Sequence, residues 1–362
     1  MTAIAYQSAL PAQTLPVSPA NAVYAVCHTP FFAINATNNS HMSAGERVYH
    51  ADPEAYSKLT QTQLKGAHRL MHRFLGAALE YVDPNPHLAD QVYTADPGMF
   101  HINGDGELIA VLSNFRFKDY RGGEVKHFRA VAEKLGATIV QIPDHLHWEG
   151  SGDTVVIRDP KTQAIQAYLM GCGPRSDEGA AAFLQDVLKV RVVPVPLRVA
   201  SSPSEQSGFH MDTATMQPGS EAGHLVIHRP VITEEGLARI KSVVPESLWL
   251  NISDHDATAM GTNGVVLGNK VLLHDVDSKD PTAVELAKLA SKAGVDLTAY
   301  ALSTKYKRQL GDIGCNVKTT DLTTIILGGG SGKCGSNPVT NAVSQRALHL
   351  WLQNRNNQRA CA

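Results

Sequence analysis

Four times between residues 99 and 302 the sequence returns to one order of elements: two short apolar runs around a turn, a helix-spaced stretch, then another apolar run. "MFHINGDGELIAVL" (99–112) sets apolar runs on either side of Asn-Gly-Asp-Gly, a hairpin signal because tight turns need residues that accept positive φ. The helix-spaced "EVKHFRAVAEKLG" and the strand-like "ATIVQI" follow it. "DTVVIRDPKTQAIQAYLM" repeats the hairpin around Asp-Pro-Lys-Thr and leads to "DEGAAAFLQDVLK" and "VRVVPV". A third unit runs from "HMDTATMQPGSEAGHLVIH" into "TEEGLARIKSVV". A fourth passes from "NGVVLGNKVLLH" through "DPTAVELAKLASKAG" to an expected strand at "VDLTAYAL". The starts near 99, 153, 210 and 262 are too far apart for a solenoid and suit a ring of blades. Residues 22–94 and 321–337 are then left to share a fifth unit and close the ring from both ends. An ordinary mixed α/β domain is the plainer alternative at this level.

Domain organisation follows from the same pattern. Residues 1–21 mix Ala, Pro, Ser, Thr and Gln without periodicity, so a disordered tail is expected there. No linker interrupts the chain beyond it, and residues 22–362 are expected to form a single domain ending in a helix, "TNAVSQRALHLWLQNRN". Thirty-two Lys and Arg against 34 Asp and Glu give a formal charge of −2, and no basic run carries interleaved aromatics. Nucleic acid is therefore not an expected partner. The first lysine or arginine is Arg47, which argues against a basic secretory signal or an arginine-rich presequence, and no apolar run approaches a membrane span. Five cysteines, Cys27, Cys172, Cys315, Cys334 and Cys361, lack CxxC spacing, which speaks against a disulfide framework and a zinc ribbon. A cytoplasmic, reducing location without membrane contact is expected.

The glycine-rich "LGGGSGKCGSN" (327–337) invites a phosphate-loop reading. That motif needs a glycine where Leu327 stands, a hydroxyl residue where Cys334 stands, and a helix where Gly335 and Pro338 follow. What remains is a thiol beside Lys333. A cysteine nucleophile needs a proton-transfer partner and groups that orient the substrate; His210 and the carboxylates Asp96, Glu149, Asp153 and Asp212 supply both, each at a boundary between units. Taken singly, Asp96-Pro97-Gly98 reads as a turn, Glu149 as a strand end and Asp153 as a turn residue. His210 and Asp212 make half a metal site, but His145 and His147 are no better placed to complete it, and no metal is expected.

In combination, Thr94-Ala95-Asp96-Pro97-Gly98, Glu149-Gly150-Ser151-Gly152-Asp153, Gly171-Cys172-Gly173-Pro174-Arg175, His210-Met211-Asp212-Thr213 and Gly328-Gly329-Gly330-Ser331-Gly332-Lys333-Cys334 resemble, in order, the motifs of the guanidino-group-modifying superfamily. That group includes arginine deiminases, dimethylarginine dimethylaminohydrolases and amidinotransferases. Arg121 and Glu124 resemble its Arg-x-x-Glu stretch. The resemblance implies an α/β fold, the five-bladed β/α propeller called the pentein fold, with pseudo-fivefold ββαβ repeats. It implies Cys334 as nucleophile and His210 as general acid and base. Glu149 and Asp212 would then hold the guanidinium, with Asp96 and Asp153 completing the carboxylates around it. Arg175 would pair with a substrate carboxylate, and Asn35 matches an early asparagine of one branch. No cofactor is implied. The partner is a small guanidino substrate, and assembly into a homo-oligomer is left open. An arginine dihydrolase-like branch carries Asn where this chain has Asp96, so the expected reaction is arginine deiminase-type, to citrulline and ammonia. The alternatives are hydrolysis to ornithine, dimethylarginine hydrolysis and amidino transfer; a non-catalytic pentein would not need Cys334, His210, Glu149 and Asp212 together.

Overall fold

The apolar runs become short strands. In the computed structural model, which describes residues 22–34 and 38–361 with side chains described to residue 356, these are β1 (Val23–Cys27), β2 (Ala78–Val82), β3 (Gly98–Ile102), β4 (Leu108–Leu112), β5 (Thr138–Gln141), β6 (Thr154–Arg158), β7 (Ile165–Cys172), β8 (Val192–Pro196), β9 (Thr215–Met216), β10 (Leu225–Ile227), β11 (Trp249–Asn251), β12 (Val265–Leu267), β13 (Lys270–His274), β14 (Asn316–Thr320) and β15 (Ser336–Pro338). The expected tail over 1–21 and Asn35 lie outside the described residues.

Among the described residues the strands form five three-stranded sheets of one design. In β3-β4-β5, β6-β7-β8, β9-β10-β11 and β12-β13-β14 the first two strands are antiparallel and the last two parallel. The fifth sheet, β15-β1-β2, obeys the same rule with strands from both ends of the chain; Tyr24 faces Pro338 and Val23 faces Ala78. A parallel neighbour cannot be reached by a tight turn, so each sheet needs a crossover between its second and third strands. The helices Pro53–Leu70, Glu124–Lys134, Ala180–Leu188, Glu234–Lys241 and Pro281–Lys292 fill that position. Their starts are set locally: the side chains of Asp52, Thr233 and Asp280 accept backbone N–H groups of the first turn. β1 and β3 are buried along their whole length, as expected of strands covered on both faces.

The expected strand at "VDLTAYAL" is not one. Asp296 accepts both the N–H and the hydroxyl of Thr298, and this local capping closes a single helical turn over Thr298–Tyr300. A second helix, Thr304–Asp312, follows, and the parallel strand of that sheet is β14. In the third unit the apolar run at 249–251, absent from the sequence reading, supplies β11.

The C-terminal helix Gln345–Cys361 packs on the chain's own core. Ala347, Leu348 and Trp351 are buried with Phe100 and Leu108 of the β3-β4 hairpin, and Arg355 reaches Glu80 at 3.0 Å. Trp351→Ala removes a large buried side chain at this junction; urea denaturation is expected to show a loss of about 3–5 kcal/mol. A midpoint within error of wild type would mean that the helix contributes nothing to the core.

Candidate active site

Every sheet is entered through a polar junction just before its first strand, and the five junctions meet. Asp96 precedes β3, Glu149 to Asp153 precede β6, and His210 to Asp212 precede β9. Thr262 and Asn263 precede β12, and Ser331 to Cys334 precede β15. Backbone bonds tie each junction to others: Ala95 N–H to Cys334 O (3.0 Å), Ser151 N–H to Ala95 O (2.8 Å), Asp212 N–H to Gly152 O (3.0 Å) and Lys333 N–H to Asn263 O (3.0 Å). The approach leaves no room for side chains at two glycines. A Cβ on Gly150, whose φ is +60°, would collide with Ala95 O, and one on Gly152 would collide with the Asp96 carboxylate.

The acidic, imidazole and thiol side chains so gathered are buried, from Glu149 at 0% exposed to Asp96 and Cys334 at 2%, with Arg175 at 3%; Lys333 is half-buried. Cys334 Sγ lies 3.1 Å from Asn263 Nδ2 and 3.5 Å from the nearer oxygen of Asp212. Asn263 also accepts the N–H groups of Ser331 and Cys334 through Oδ1, which fixes the loop carrying the thiol. His210 Nε2 sits 2.8 Å from Glu149 Oε2, and its Nδ1 lies 3.7 Å from Asp96 Oδ1. Arg121 bonds Asp96 Oδ2 at 2.7 Å and grips both oxygens of Glu124 at 2.8 Å, a fork geometry suited to arginine. Arg175 contacts Glu149 Oε2 at 3.1 Å, and Lys333 Nζ donates to Ser151 O at 3.0 Å and to its hydroxyl at 3.1 Å. Asp153 holds the frame: Ser176 Oγ–H donates to one oxygen and Met211 N–H to the other.

Burial raises the cost of charge here, and neighbours decide which groups bear it. Burial works against the His210 imidazolium, but Asp96, Asp153 and Glu149 outweigh it and raise its pKa to about 9. Burial would lift Glu149, yet Arg175 and His210 hold it well below the usual carboxylate range. Burial prevails at Asp153, raised to about 7, and at Asp212, raised to about 6 despite Lys333 and His210. The Cys334 thiol is pushed far up by burial and by Asp212 and Asp96, against Lys333 and the Asn263 amide.

The cluster brings together Cys334, His210, Glu149, Asp96, Asp212, Arg175 and Asp153. Asn35 lies outside the described residues. Sequence reading missed Asn263, although its position was available in the pattern: it opens the fourth unit where Asp96, Glu149 and His210 open the first three.

No family model matches the chain. It is 25% identical over 305 residues to the bifunctional arginine dihydrolase/ornithine cyclodeaminase ArgZ of Synechocystis sp., covering 84% of this chain and 35% of that protein. It therefore spans about a third of that relative's length. It is also 25% identical over 317 residues to the N(G),N(G)-dimethylarginine dimethylaminohydrolase of Mycobacterium tuberculosis, with 88% and 85% covered. Among solved structures, the product-bound N-terminal domain of ArgZ superposes with a TM-score of 0.71 at 22% identity, covering 89% of this chain and 99% of that one. A dimethylarginine dimethylaminohydrolase adduct gives 0.56 at 12% identity, over 87% and 98%. The fold is thus the mixed α/β fold of these pentein proteins. The resemblance to the guanidino-group-modifying superfamily that the motifs carry is borne out.

Arg121 is the counter-cation for two buried carboxylates, Asp96 and Glu124. Arg121→Met is expected to cost about 3–5 kcal/mol in chemical denaturation, because it strands buried charge. Adding Glu124→Gln should recover part of that loss. A single variant within about 1 kcal/mol of wild type would show that the pocket tolerates the unpaired carboxylates.

Proposed function

We propose that this chain hydrolyses the guanidino group of arginine or a close relative through a covalent amidino adduct on Cys334. One observation carries the reading: the thiol lies against Asp212 and Asn263 in a buried cluster that also holds Glu149, Asp96 and the imidazole of His210. We read residues 22–362 as one catalytic domain, its five like sheets arranged as blades around this pocket, working in the cytoplasm without a cofactor.

In this reading Glu149 and Asp212 hold the planar guanidinium, and its charge stabilises a thiolate beside it. As the guanidinium binds, the thiol proton passes to solvent and the thiolate bonds the guanidino carbon. His210, protonated at rest, delivers a proton to the departing amine as the carbon–nitrogen bond breaks. The neutral imidazole then takes one proton from water, whose oxygen bonds the carbon; the carbon–sulfur bond opens and the second water proton returns to the departing thiolate.

How far hydrolysis proceeds is a separate matter. The names of the curated relatives, arginine dihydrolase among them, favour continuation to ornithine over a single hydrolysis to citrulline. Asp96 is the feature that favours the deiminase outcome. It stands where the dihydrolase-like branch has asparagine, and its Oδ1 is buried without a hydrogen-bond partner near His210 Nδ1.

Incubation with L-arginine, following ammonia, citrulline and ornithine together, separates the outcomes. Ornithine with ammonia in excess of arginine consumed is expected, and Cys334→Ser should abolish it. Citrulline with matching ammonia would assign the deiminase reaction instead. No product with arginine, methylated arginines or an added acceptor amine would sink the hydrolase reading.

The charges also set a pH profile. Asp212 must be ionised, so kcat/KM should rise as pH passes about 6; His210 must be protonated, so it should fall as pH passes about 9. A profile still climbing above pH 10 would remove His210 from the acid role.

A further inference from the structure

The proposed guanidinium seat already holds a guanidinium. Arg175 Nη1 sits 3.1 Å from Glu149 Oε2, the oxygen that also faces His210 Nε2, while Arg116 N–H takes Glu149 Oε1 at 3.2 Å. The carboxylate is thus engaged on both oxygens. The Arg175 head is stacked between Phe117 and Phe209, its Cζ 4.8 and 5.2 Å from their ring centres, and its other amine donates to Asn38 O and Oδ1. Glu149 is its one acidic partner among the described residues, and both are buried.

From this geometry we infer that Arg175 is an internal competitor: it occupies Glu149 in the free protein and leaves only for a ligand that offers a carboxylate in exchange. The inference rests on Glu149 being a holder of the substrate guanidinium. An arginine-like substrate trades one buried ion pair for two, because its guanidinium takes Glu149 while its carboxylate takes Arg175 in a two-pronged contact. A guanidine without a carboxylate must either displace Arg175 into a pocket of two rings and an asparagine or fail to reach Glu149. A buried cation without a partner is strongly unfavourable. Selectivity for a carboxylate at the far end of the substrate is thereby enforced at the reacting end.

A merely structural Arg175, or one that only holds the substrate carboxylate, predicts that its removal harms every ligand or leaves carboxylate-free ligands untouched. The competitor predicts opposite signs. Binding is measured by calorimetry in a Cys334→Ser background, and kcat/KM in the wild-type background, for L-arginine and for agmatine, which is arginine without the carboxylate. Arg175→Met and the milder Arg175→Gln are expected to weaken arginine by about a hundredfold and to strengthen agmatine by about tenfold. Arg175→Lys, which keeps a cation against Glu149, should retain the wild-type preference. If Arg175→Met does not fold, the Gln and Lys variants carry the same comparison.

Agmatine binding that weakens or stays unchanged in the Met and Gln variants overturns the inference. Calorimetry keeps that outcome separate from the proposed activity. Absence of turnover in the wild-type protein would count against hydrolysis, whereas the opposing affinity changes would still report on Arg175. Failure of both ligands to bind any variant would refute the guanidinium seat itself, and the inference with it.

Discussion

A pocket that buries this many carboxylates has to bring its own cations. Asp96, Glu124, Glu149, Asp153 and Asp212 are each 2% exposed or less, and Arg121, Arg175, Lys333 and His210 are placed among them. The pairing is uneven. Arg121 serves Asp96 and Glu124 and is itself stacked over Phe115 at 4.8 Å, so it forms a fixed part of the wall. Asp153 answers to a hydroxyl and an N–H, and Asp212 has Lys333 only at a distance. The electrostatic demand that remains lies beside Cys334, where a bound cation would satisfy it.

That arrangement depends on how the fold delivers its residues. Asp96, Glu149, Asp153, His210 and Asp212 stand on junctions entering a sheet, and junction is bonded to junction through backbone N–H and C=O groups. Positions fixed in this way shift little when side chains change charge, which is what electrostatic preorganisation requires. The fifth sheet matters most. Because β15 begins two residues after Cys334 and pairs with β1, the loop that carries the thiol is anchored to the first described strand, and the fifth sheet joins segments from both ends of the described residues.

Much of this could be read from the chain. The hairpins announced themselves through Asn-Gly and Asp-Pro turns, the helices through their spacing, and the fifth sheet through what was left at both ends. Four of the five junctions were recognised because they carry charged or nucleophilic side chains. Asn263 escaped because an amide between Thr262 and Gly264 has no chemical signature in isolation; only its place in the repeat marks it. "VDLTAYAL" misled for the converse reason. Its apolar spacing suits a strand, but Asp296 commits the backbone to a turn, and a side-chain bond of that kind overrides a weak propensity. The partner of Arg175 was beyond sequence reading altogether, since which anion a buried guanidinium reaches is decided by tertiary packing.

The acidity of the thiols shows why geometry and not resting reactivity singles out Cys334. Burial raises Cys27 and Cys172 to about 12 and Cys315 to about 11, and it raises Cys334 as well, with Asp212 and Asp96 adding to the effect. At rest none of the four is a ready thiolate. What separates Cys334 is direct contact with one of the carboxylates that raise it. Burial leads at all four; Cys315 is raised by burial alone, while carboxylates add to it at Cys27 and Cys172 without a carboxylate bonded to either thiol among the described residues. At Cys334 the carboxylate Asp212 stands 3.5 Å from the sulfur, and a cation seated against both reverses the sign of the local field. In the proposed reaction such a thiol stays protonated, and so protected from oxidation, until a substrate guanidinium arrives. The carboxylates that make Cys334 unreactive in the free protein are the groups through which a guanidinium would activate it.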